Sequence, residues 1–216
     1  VPLHDAFEMT YGWNFHHIMN DVAKGKKDAT AIQEYVKTNK YPGNAYRMNF
    51  TSNHDENSWN GTEMERMGDA RFALAVLAST IEGMPLVYNG QETSLDRRLK
   101  FFDKDSIEWK KMDLVPFYTK LLNLHQTNPA LWVRDGSNQA QFIATQNSKE
   151  HLVYIREYDN HQVITVLNLS NKKAEVSFSS SAMSGEYTEL FSGKKKTFGG
   201  TSKISLAPWG YQVYYK

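Results

Sequence analysis

The stretch before residue 53 sets apolar residues at alternate positions and then turns polar. Tyr46, Met48 and Phe50 alternate with polar neighbours, which predicts a β-strand. The strand runs into Asn53-His54-Asp55, so a side-chain amide, an imidazole and a carboxylate gather at its exit. These residue types are also common in turns, and the tripeptide alone fits a plain loop equally well. Its surroundings decide between the two readings.

Helical periodicity flanks this strand on both sides. Apolar residues from Phe15 to Val22 have helical spacing up to Gly25, and Asp28 is suited to cap a second helix. Further strands are predicted at residues 6–11 and 86–88. The order of strand, polar exit, helix, strand and second polar exit is typical of an α/β unit. The other predicted helices cover residues 29–38, 64–81 and 116–128.

The pattern changes after Pro129. Short β-rich runs separated by Asn, Ser, Gly and Asp predict an antiparallel β-sandwich. We therefore place a domain boundary near Leu131, with one domain at residues 1–130 and the sandwich at 131–216. Residues 179–181 and the lysine-rich 193–196 are predicted turns. The predicted strands are 141–145, 152–156, 163–167, 175–178, 187–191 and 211–215.

Composition excludes some classes of function. The chain has 216 residues, 40% of them hydrophobic, which is enough for a sizeable core. Its 25 basic and 24 acidic residues leave a net charge of +1, so nucleic acid and acidic membranes are not expected partners. Aromatic residues reach 13%, and aromatic rings stack well on the apolar faces of sugars. The absence of cysteine excludes disulfides and thiolate metal sites but leaves the compartment open.

Two features bear on membranes and on the start of the chain. No run approaches the roughly 18 apolar residues of a membrane span. The first residues, Val1-Pro2-Leu3-His4-Asp5, lack the basic and apolar regions of a signal peptide. We expect the chain to begin in the middle of a longer protein.

No metal site is predicted. His16 and His17 are adjacent on a helix and point about 100° apart, so we expect helix-surface or sugar-contact roles for them. Asp103 and Asp105 are clustered, but their run lacks the regular oxygen ligands and central glycine of a calcium loop, which favours a solvated loop.

Three blocks together identify a resemblance. They read Phe50-Thr51-Ser52-Asn53-His54-Asp55, Gly83-Met84-Pro85-Leu86-Val87-Tyr88-Asn89-Gly90-Gln91-Glu92 and Leu206-Ala207-Pro208-Trp209-Gly210-Tyr211. In order and spacing they resemble the C-terminal half of the alpha-amylase family of glycoside hydrolases. A looser match, at residues 99–111, resembles the loop that borders the sugar cleft. The resemblance implies strands six to eight of a (β/α)8 barrel followed by the C-terminal β-sandwich domain.

The same resemblance implies roles for individual residues. Asp55 is the candidate catalytic residue, a carboxylate that stabilises the transition state, and His54 is a candidate hydrogen-bond donor to sugar hydroxyls. Asn53 and Trp13 complete the candidate substrate-binding set. For Trp13, stacking on a glucosyl unit is weighed against packing inside the fold. Neither Glu56 nor Glu92 is expected to be the proton donor, since the family places its donor on an earlier strand and Glu56 is simply the next loop residue.

The chemistry of the family requires more than this chain offers. A retaining glycosidase needs a nucleophile and an acid/base carboxylate about 5–5.5 Å apart. By resemblance, both precede Val1. We therefore expect a fragment of an enzyme that acts on α-linked glucans, inactive alone, without an evident cofactor and with Ca²⁺ left open for the full-length protein. Open barrel edges predict self-association. The alternative is a non-catalytic carbohydrate-binding or structural module.

Overall fold

The computed structural model describes residues 2–42, 44–109, 111–134 and 136–216, with Pro2 described by its backbone alone. Eleven strands and five α-helices lie in these ranges. The strands are β1 Met9–Tyr11, β2 Tyr46–Phe50, β3 Met84–Leu86, β4 Gln141–Ile143, β5 His151–Tyr158, β6 His161–Asn168, β7 Ala174–Ser179, β8 Gly185–Glu189, β9 Lys195–Phe198, β10 Thr201–Leu206 and β11 Tyr211–Tyr215. The α-helices are α1 Trp13–Ala23, α2 Ala29–Thr38, α3 Glu63–Met67, α4 Arg71–Thr80 and α5 Val115–Thr127.

Strands β1, β2 and β3 form a parallel sheet with β2 in the centre. Tyr46 pairs with Met9 on one side of β2, and Phe50 pairs with Leu86 on the other. Parallel strands require crossover connections, which helices supply here. The carboxyl ends of all three strands therefore lie at one edge of the sheet.

The predicted helix α2 is confirmed at both ends. Asp28 has extended backbone geometry, and its carboxylate accepts a hydrogen bond of 2.9 Å from the amide of Thr30. Ile32 and Val36 are buried on one face, as their spacing of four residues predicts. A local cap and a local apolar stripe are thus sufficient to define this helix.

The single helix predicted from 64 to 81 is wrong in one respect, because the structure breaks it into α3 and α4. Gly68 lies between them with a φ of 54°, a conformation that an α-helix excludes and glycine tolerates. A short 3₁₀ turn, Gly68–Ala70, connects the two helices. Thr62 starts α3 with a capping box, in which its hydroxyl accepts from the Glu65 amide and Glu65 accepts from the Thr62 amide.

The residues after 140 form the predicted antiparallel sandwich. One sheet has six strands in the order β4-β5-β6-β11-β8-β9, and the other pairs β10 with β7. Two strands were not predicted from the sequence. Lys195 and Lys196 belong to β9 rather than to a turn, and β10 follows directly. Strand β9 buries only one apolar side chain, Phe198, and β10 buries only Ile204 and Leu206. Each of these two strands therefore has too few apolar positions to be predicted from the sequence.

The helical half and the sandwich share one hydrophobic core. Leu74 and Leu77 of α4 belong to the same buried cluster as Leu152 of β5 and Leu167 of β6. The fully buried Arg156 reinforces the contact, because its guanidinium donates to the carbonyls of Ile81, Leu131, Trp132 and Asn138 at 2.9–3.3 Å. Burial lowers the pKa of Arg156 to about 10.

Candidate active site

Strand β2 ends in a tight, buried turn that presents two side chains to solvent. Thr51, Ser52 and Asn53 are buried, whereas the side chains of His54 and Asp55 are 52% and 40% exposed. His54 Nε2 lies 3.6 Å from Asp55 Oδ1. The predicted exit of the strand is therefore a rim position where an imidazole and a carboxylate are open to a ligand.

Asn53 holds this turn together. Its side-chain oxygen accepts a 2.8 Å hydrogen bond from the Glu56 amide, and its backbone carbonyl accepts from the Asn57 amide. The side-chain nitrogen of Asn53 is buried without a hydrogen-bond partner. The structure thus gives Asn53 a capping contact, and its substrate contact stays a prediction.

Trp13 begins α1, two residues beyond the end of β1 and on the same edge of the sheet as Asp55. Its half-buried ring packs edge-on against Phe50 at 5.1 Å between centroids and lies 5.8 Å from the ring of Tyr11. Packing, the alternative weighed above, is therefore observed. Stacking of Trp13 on a sugar stays a prediction.

A buried charged cluster lies directly beneath the turn. The Nδ1 of His16 donates to the carbonyl of Phe50 at 3.0 Å, and its Nε2 lies 3.1 Å from the Glu56 carboxylate. Arg66 approaches the same carboxylate at 3.6 Å and donates to the carbonyls of Thr51 and Gly61. The side chains of His16, Glu56 and Arg66 are all almost fully buried. The cluster therefore fixes the backbone on which His54 and Asp55 stand.

Two sequence interpretations are corrected here. His16 is not on the helix surface, because α1 turns it inward against β2, while His17 is exposed. Glu56 is not simply a loop residue, since the π-helical turn Glu56–Asn60 directs it toward His16. One signal was available: Asn20 lies one helical turn after His16, and such a polar strip on an otherwise apolar helix face indicates a buried polar contact.

The cluster determines the protonation state of Glu56. The hydrogen bond from His16 lowers the pKa of Glu56 to about 2, against the opposing effect of burial. Glu56 is therefore ionised at neutral pH and has no proton to give. Burial lowers the pKa of Arg66, and the negative charges of the neighbouring glutamates partly oppose this decrease.

The exit of β3 is joined to the exit of β2 by a second polar network. Gln91 accepts a 2.6 Å hydrogen bond from the Tyr88 amide and donates to the hydroxyl of Thr51 and the carboxylate of Glu63. Burial raises the pKa of Glu63. Glu92 accepts from the Gly90 amide at 3.1 Å. The two polar exits thus lie side by side on one rim.

The clustered acids of the following loop have contacts of their own. Asp105 pairs with Arg97 at 2.7 Å and accepts from the amides of Lys100 and Ser106. The Arg97 guanidinium holds the pKa of Asp105 well below its usual range. Within the described ranges, no three His, Asp or Glu side chains are grouped so that they could hold a metal ion.

The described helices are also too short or too polar to cross a bilayer.

Comparison with known proteins shows which family this chain resembles. Residues 140–213 match the family described as Maltogenic Amylase, C-terminal domain. A cyclomaltodextrinase from Bacillus sp is 33% identical over 113 residues, which is 50% of this chain and 19% of that relative. The maltogenic alpha-amylase AmyB from Thermotoga neapolitana has the same fold, with a TM-score of 0.81 at 18% identity. The resemblance to the alpha-amylase family is confirmed.

The predicted fold class is confirmed as well, since the likeness to AmyB covers 99% of this chain and 51% of that chain. AmyP, crystallised with maltose, is 16% identical with a TM-score of 0.76, over 97% of this chain and 50% of that chain. The chain thus spans about half the length of these two solved structures and about a fifth of the cyclomaltodextrinase, 19% of its length. The division at residues 130 and 131 stays a prediction.

Proposed function

We propose that this chain forms one side of the active site of a retaining glycoside hydrolase that acts on α-linked glucans. The observation that supports it best is the pair of exposed side chains, His54 and Asp55, at the carboxyl end of the central parallel strand. In (β/α)8 barrels, active sites are built at that end of the strands.

Asp55 is the transition-state-stabilising carboxylate in this proposal. Positive charge develops on the sugar ring as the glycosidic bond breaks, and a fixed carboxylate stabilises it. His54 donates a hydrogen bond to a sugar hydroxyl. The choice of substrate is supported by the cyclomaltodextrinase relative and by AmyP, which was crystallised with maltose and with maltotriose.

The nucleophile and the acid/base carboxylate come, in this proposal, from sequence outside the chain. Glu56 is the buried acid next to Asp55, and its lowered pKa keeps it ionised, so it is unsuited to protonate a leaving group. We therefore expect the 216-residue chain alone to leave starch uncleaved.

The test is Asp55→Asn in the protein extended by its upstream coding sequence, assayed for reducing ends released from soluble starch. We expect turnover to fall by about two to three orders of magnitude with the fold unchanged by circular dichroism. Asp21→Asn is the matched control, because Asp21 pairs with Lys27 at the surface near the end of α1 that lies away from the rim, and it should leave turnover unaltered.

Near wild-type turnover in Asp55→Asn would exclude the assigned role. An extended protein that binds starch without cleaving it would instead support a non-catalytic carbohydrate-binding module.

A further inference from the structure

A cavity of about 100 Å³ lies between the helical half and the sandwich. Its walls come from the end of α2, from the residues that begin β2 and β3, and from the segment that follows Leu131. Because β2 and β3 are parallel, the cavity lies at their amino ends, whereas Asp55 lies beyond the carboxyl end of β2. A buried water needs about 10–15 Å³ of such space, so the cavity has room for a small molecule or ion.

Basic side chains outnumber acidic ones in the described lining of this cavity. The basic residues are Lys40, Arg47, Arg134 and Arg156, and the acidic one is Glu82. Arg47 and Arg156 are only 3% and 1% exposed, so water screens their charges poorly. An anion held in the cavity would compensate this excess of positive charge.

Three polar atoms of the lining side chains have no hydrogen-bond partner within the described residues. They are the Nε of Arg47, the Nε of Arg134 and the Oε2 of Glu82. Arg47 Nη2 donates to the Glu82 carbonyl at 3.2 Å but lies 4.0 Å from Glu82 Oε2, too far for a hydrogen bond. Buried polar groups nearly always have partners, so two donors and one acceptor are open to a further group.

Aromatic rings hold the two arginines in position. The guanidinium carbon of Arg47 lies 5.2 Å from the ring centroid of Phe15, and that of Arg134 lies 3.5 Å from the ring centroid of Tyr158. These cation–π contacts orient the guanidinium groups and leave each Nε–H without an acceptor. The donors are therefore preorganised, which reduces the entropy lost when a ligand binds.

The combination of two donors with one acceptor selects the kind of anion. Arginine donates well-aligned, charge-assisted hydrogen bonds to the oxygens of phosphate. Chloride, sulfate and ionised carboxylates carry no hydrogen to donate, so Glu82 would repel them. A phosphate group still carries one proton in part near its second ionisation, at about pH 6. We propose that the cavity binds a phosphate group, which accepts from Arg47 and Arg134 and donates its P–O–H to Glu82.

The experiment is a calorimetric titration of the 216-residue chain with inorganic phosphate at constant ionic strength. We expect saturable binding that Arg134→Gln weakens about tenfold, as for the loss of one charge-assisted hydrogen bond. Arg134 is chosen because it is half-buried, whereas Arg47 lies inside the fold and its replacement would disturb the core. Arg98→Gln is the matched control, since Arg98 pairs with Glu65 at the surface and should leave the affinity unchanged.

Glu82→Gln tests the acceptor. The glutamine carbonyl can still accept from the Ala140 amide, as Glu82 Oε1 does at 2.8 Å, but the NH₂ group puts a donor in place of Oε2. The wild type should therefore prefer phosphate over sulfate, and Glu82→Gln should reduce that preference about tenfold. Glycerol phosphate distinguishes the source of the group, because tighter binding than inorganic phosphate would assign the site to a phosphate ester.

Several results would overturn the inference. Absence of saturable phosphate binding, or equal affinity of the wild type and Arg134→Gln, would show that water alone fills the cavity. Equal affinity of the wild type for phosphate and sulfate would show that Glu82 does not select the ion. Binding of maltose that Arg134→Gln weakens, without binding of phosphate, would show that the occupant is a sugar. None of these outcomes depends on Asp55, so the phosphate site and the proposed function fail separately.

Discussion

Glu56 shows how a single residue can support a site without taking part in its chemistry. A buried carboxylate is stable only when its charge is compensated, and here His16 and Arg66 supply that compensation from two helices. The same two side chains, His16 and Arg66, also donate to the carbonyls of Phe50 and Thr51, a few residues before the exposed pair His54 and Asp55. Asp55 can therefore be both exposed and rigidly held.

The lowered pKa of Glu56 predicts how stability depends on pH. The unfolded chain binds a proton near pH 4.5 and the folded chain only near pH 2, so the free energy of unfolding falls as pH falls through that window. Glu56→Gln should cost about 3 kcal/mol at neutral pH by leaving the buried Arg66 without its carboxylate partner, and should reduce the slope of stability against pH. Urea unfolding of both proteins from about pH 6 to about pH 3 measures the two effects.

Other acidic residues also make stability depend on pH, but their effect is the same in the wild type and in Glu56→Gln. Asp105, whose pKa is also lowered, is unchanged in the variant, so its effect cancels in the difference of the slopes. Equal slopes for wild type and Glu56→Gln would show that Glu56 is not held ionised by His16.

The sequence reveals some of these residues and not others, for a physical reason. His54 and Asp55 follow a strand and belong to a motif, so local order identifies them. The pairing of His16 with Glu56 joins residues 40 positions apart, and nothing local to either one indicates its partner. The sequence also does not indicate that Asn53 is buried while its neighbours His54 and Asp55 are exposed. The burial of Asn53 depends on the turn that its side chain caps.

At the scale of elements, α2 was predictable because its determinants are local. Asp28 caps its first turn, and Ile32 and Val36, four residues apart, form its buried face. Strand β2 shows the limit of periodicity. Its alternation predicted an apolar and a polar face, yet Arg47 and Asn49 are buried, because Asn49 donates to the carbonyls of Ala78 and Glu82 beyond the sheet. Tyr46 and Met48 on the other face are only half-buried, so the alternation predicts the strand but not which of its faces is covered.

The cap of α2 gives a quantitative prediction. Asp28→Ala should lower the free energy of unfolding by about 1 kcal/mol, because the Thr30 amide loses its acceptor, whereas Asp28→Ser should retain most of it. Asp21→Ala is the control, since Asp21 pairs with Lys27 at the surface and should change stability by only a few tenths of a kcal/mol. Thermal or urea unfolding of the three variants measures this. Equal losses for Asp28→Ala and Asp21→Ala would contradict a capping role.

At the scale of the whole molecule, the two halves are joined by more than their shared apolar cluster. Thr80 of α4 bonds to Tyr154 of β5 at 2.6 Å and accepts from Thr165 of β6 at 3.1 Å, all within the buried interior. Arg156 of β5 also donates to the carbonyl of Ile81, just after α4, across the same boundary. The helices and the sandwich are therefore packed around a shared buried cluster, and the domain boundary near residue 131 stays a prediction.

The parallel sheet leads to the last prediction. Among the described strands, β1 and β3 each pair with β2 alone, so each has one edge without a neighbouring strand. Exposed apolar side chains accompany these edges, Phe7 and Tyr11 at β1 and Met84 in β3. Unpaired edges of this kind favour pairing with another copy. We expect light scattering on the purified chain to detect association that grows with concentration.

A pair of variants distinguishes association through the strand edges from nonspecific hydrophobic association of the surface. Met84→Lys puts a charge on the edge strand β3 and should reduce association, whereas Met112→Lys changes an equally exposed methionine in a loop and should not. The proposed function supplies further strands from sequence outside this chain, so the extended protein should lose the association that these two edges cause. A chain that is monomeric at every concentration, or one whose association Met84→Lys leaves unchanged, would show that these edges are already protected.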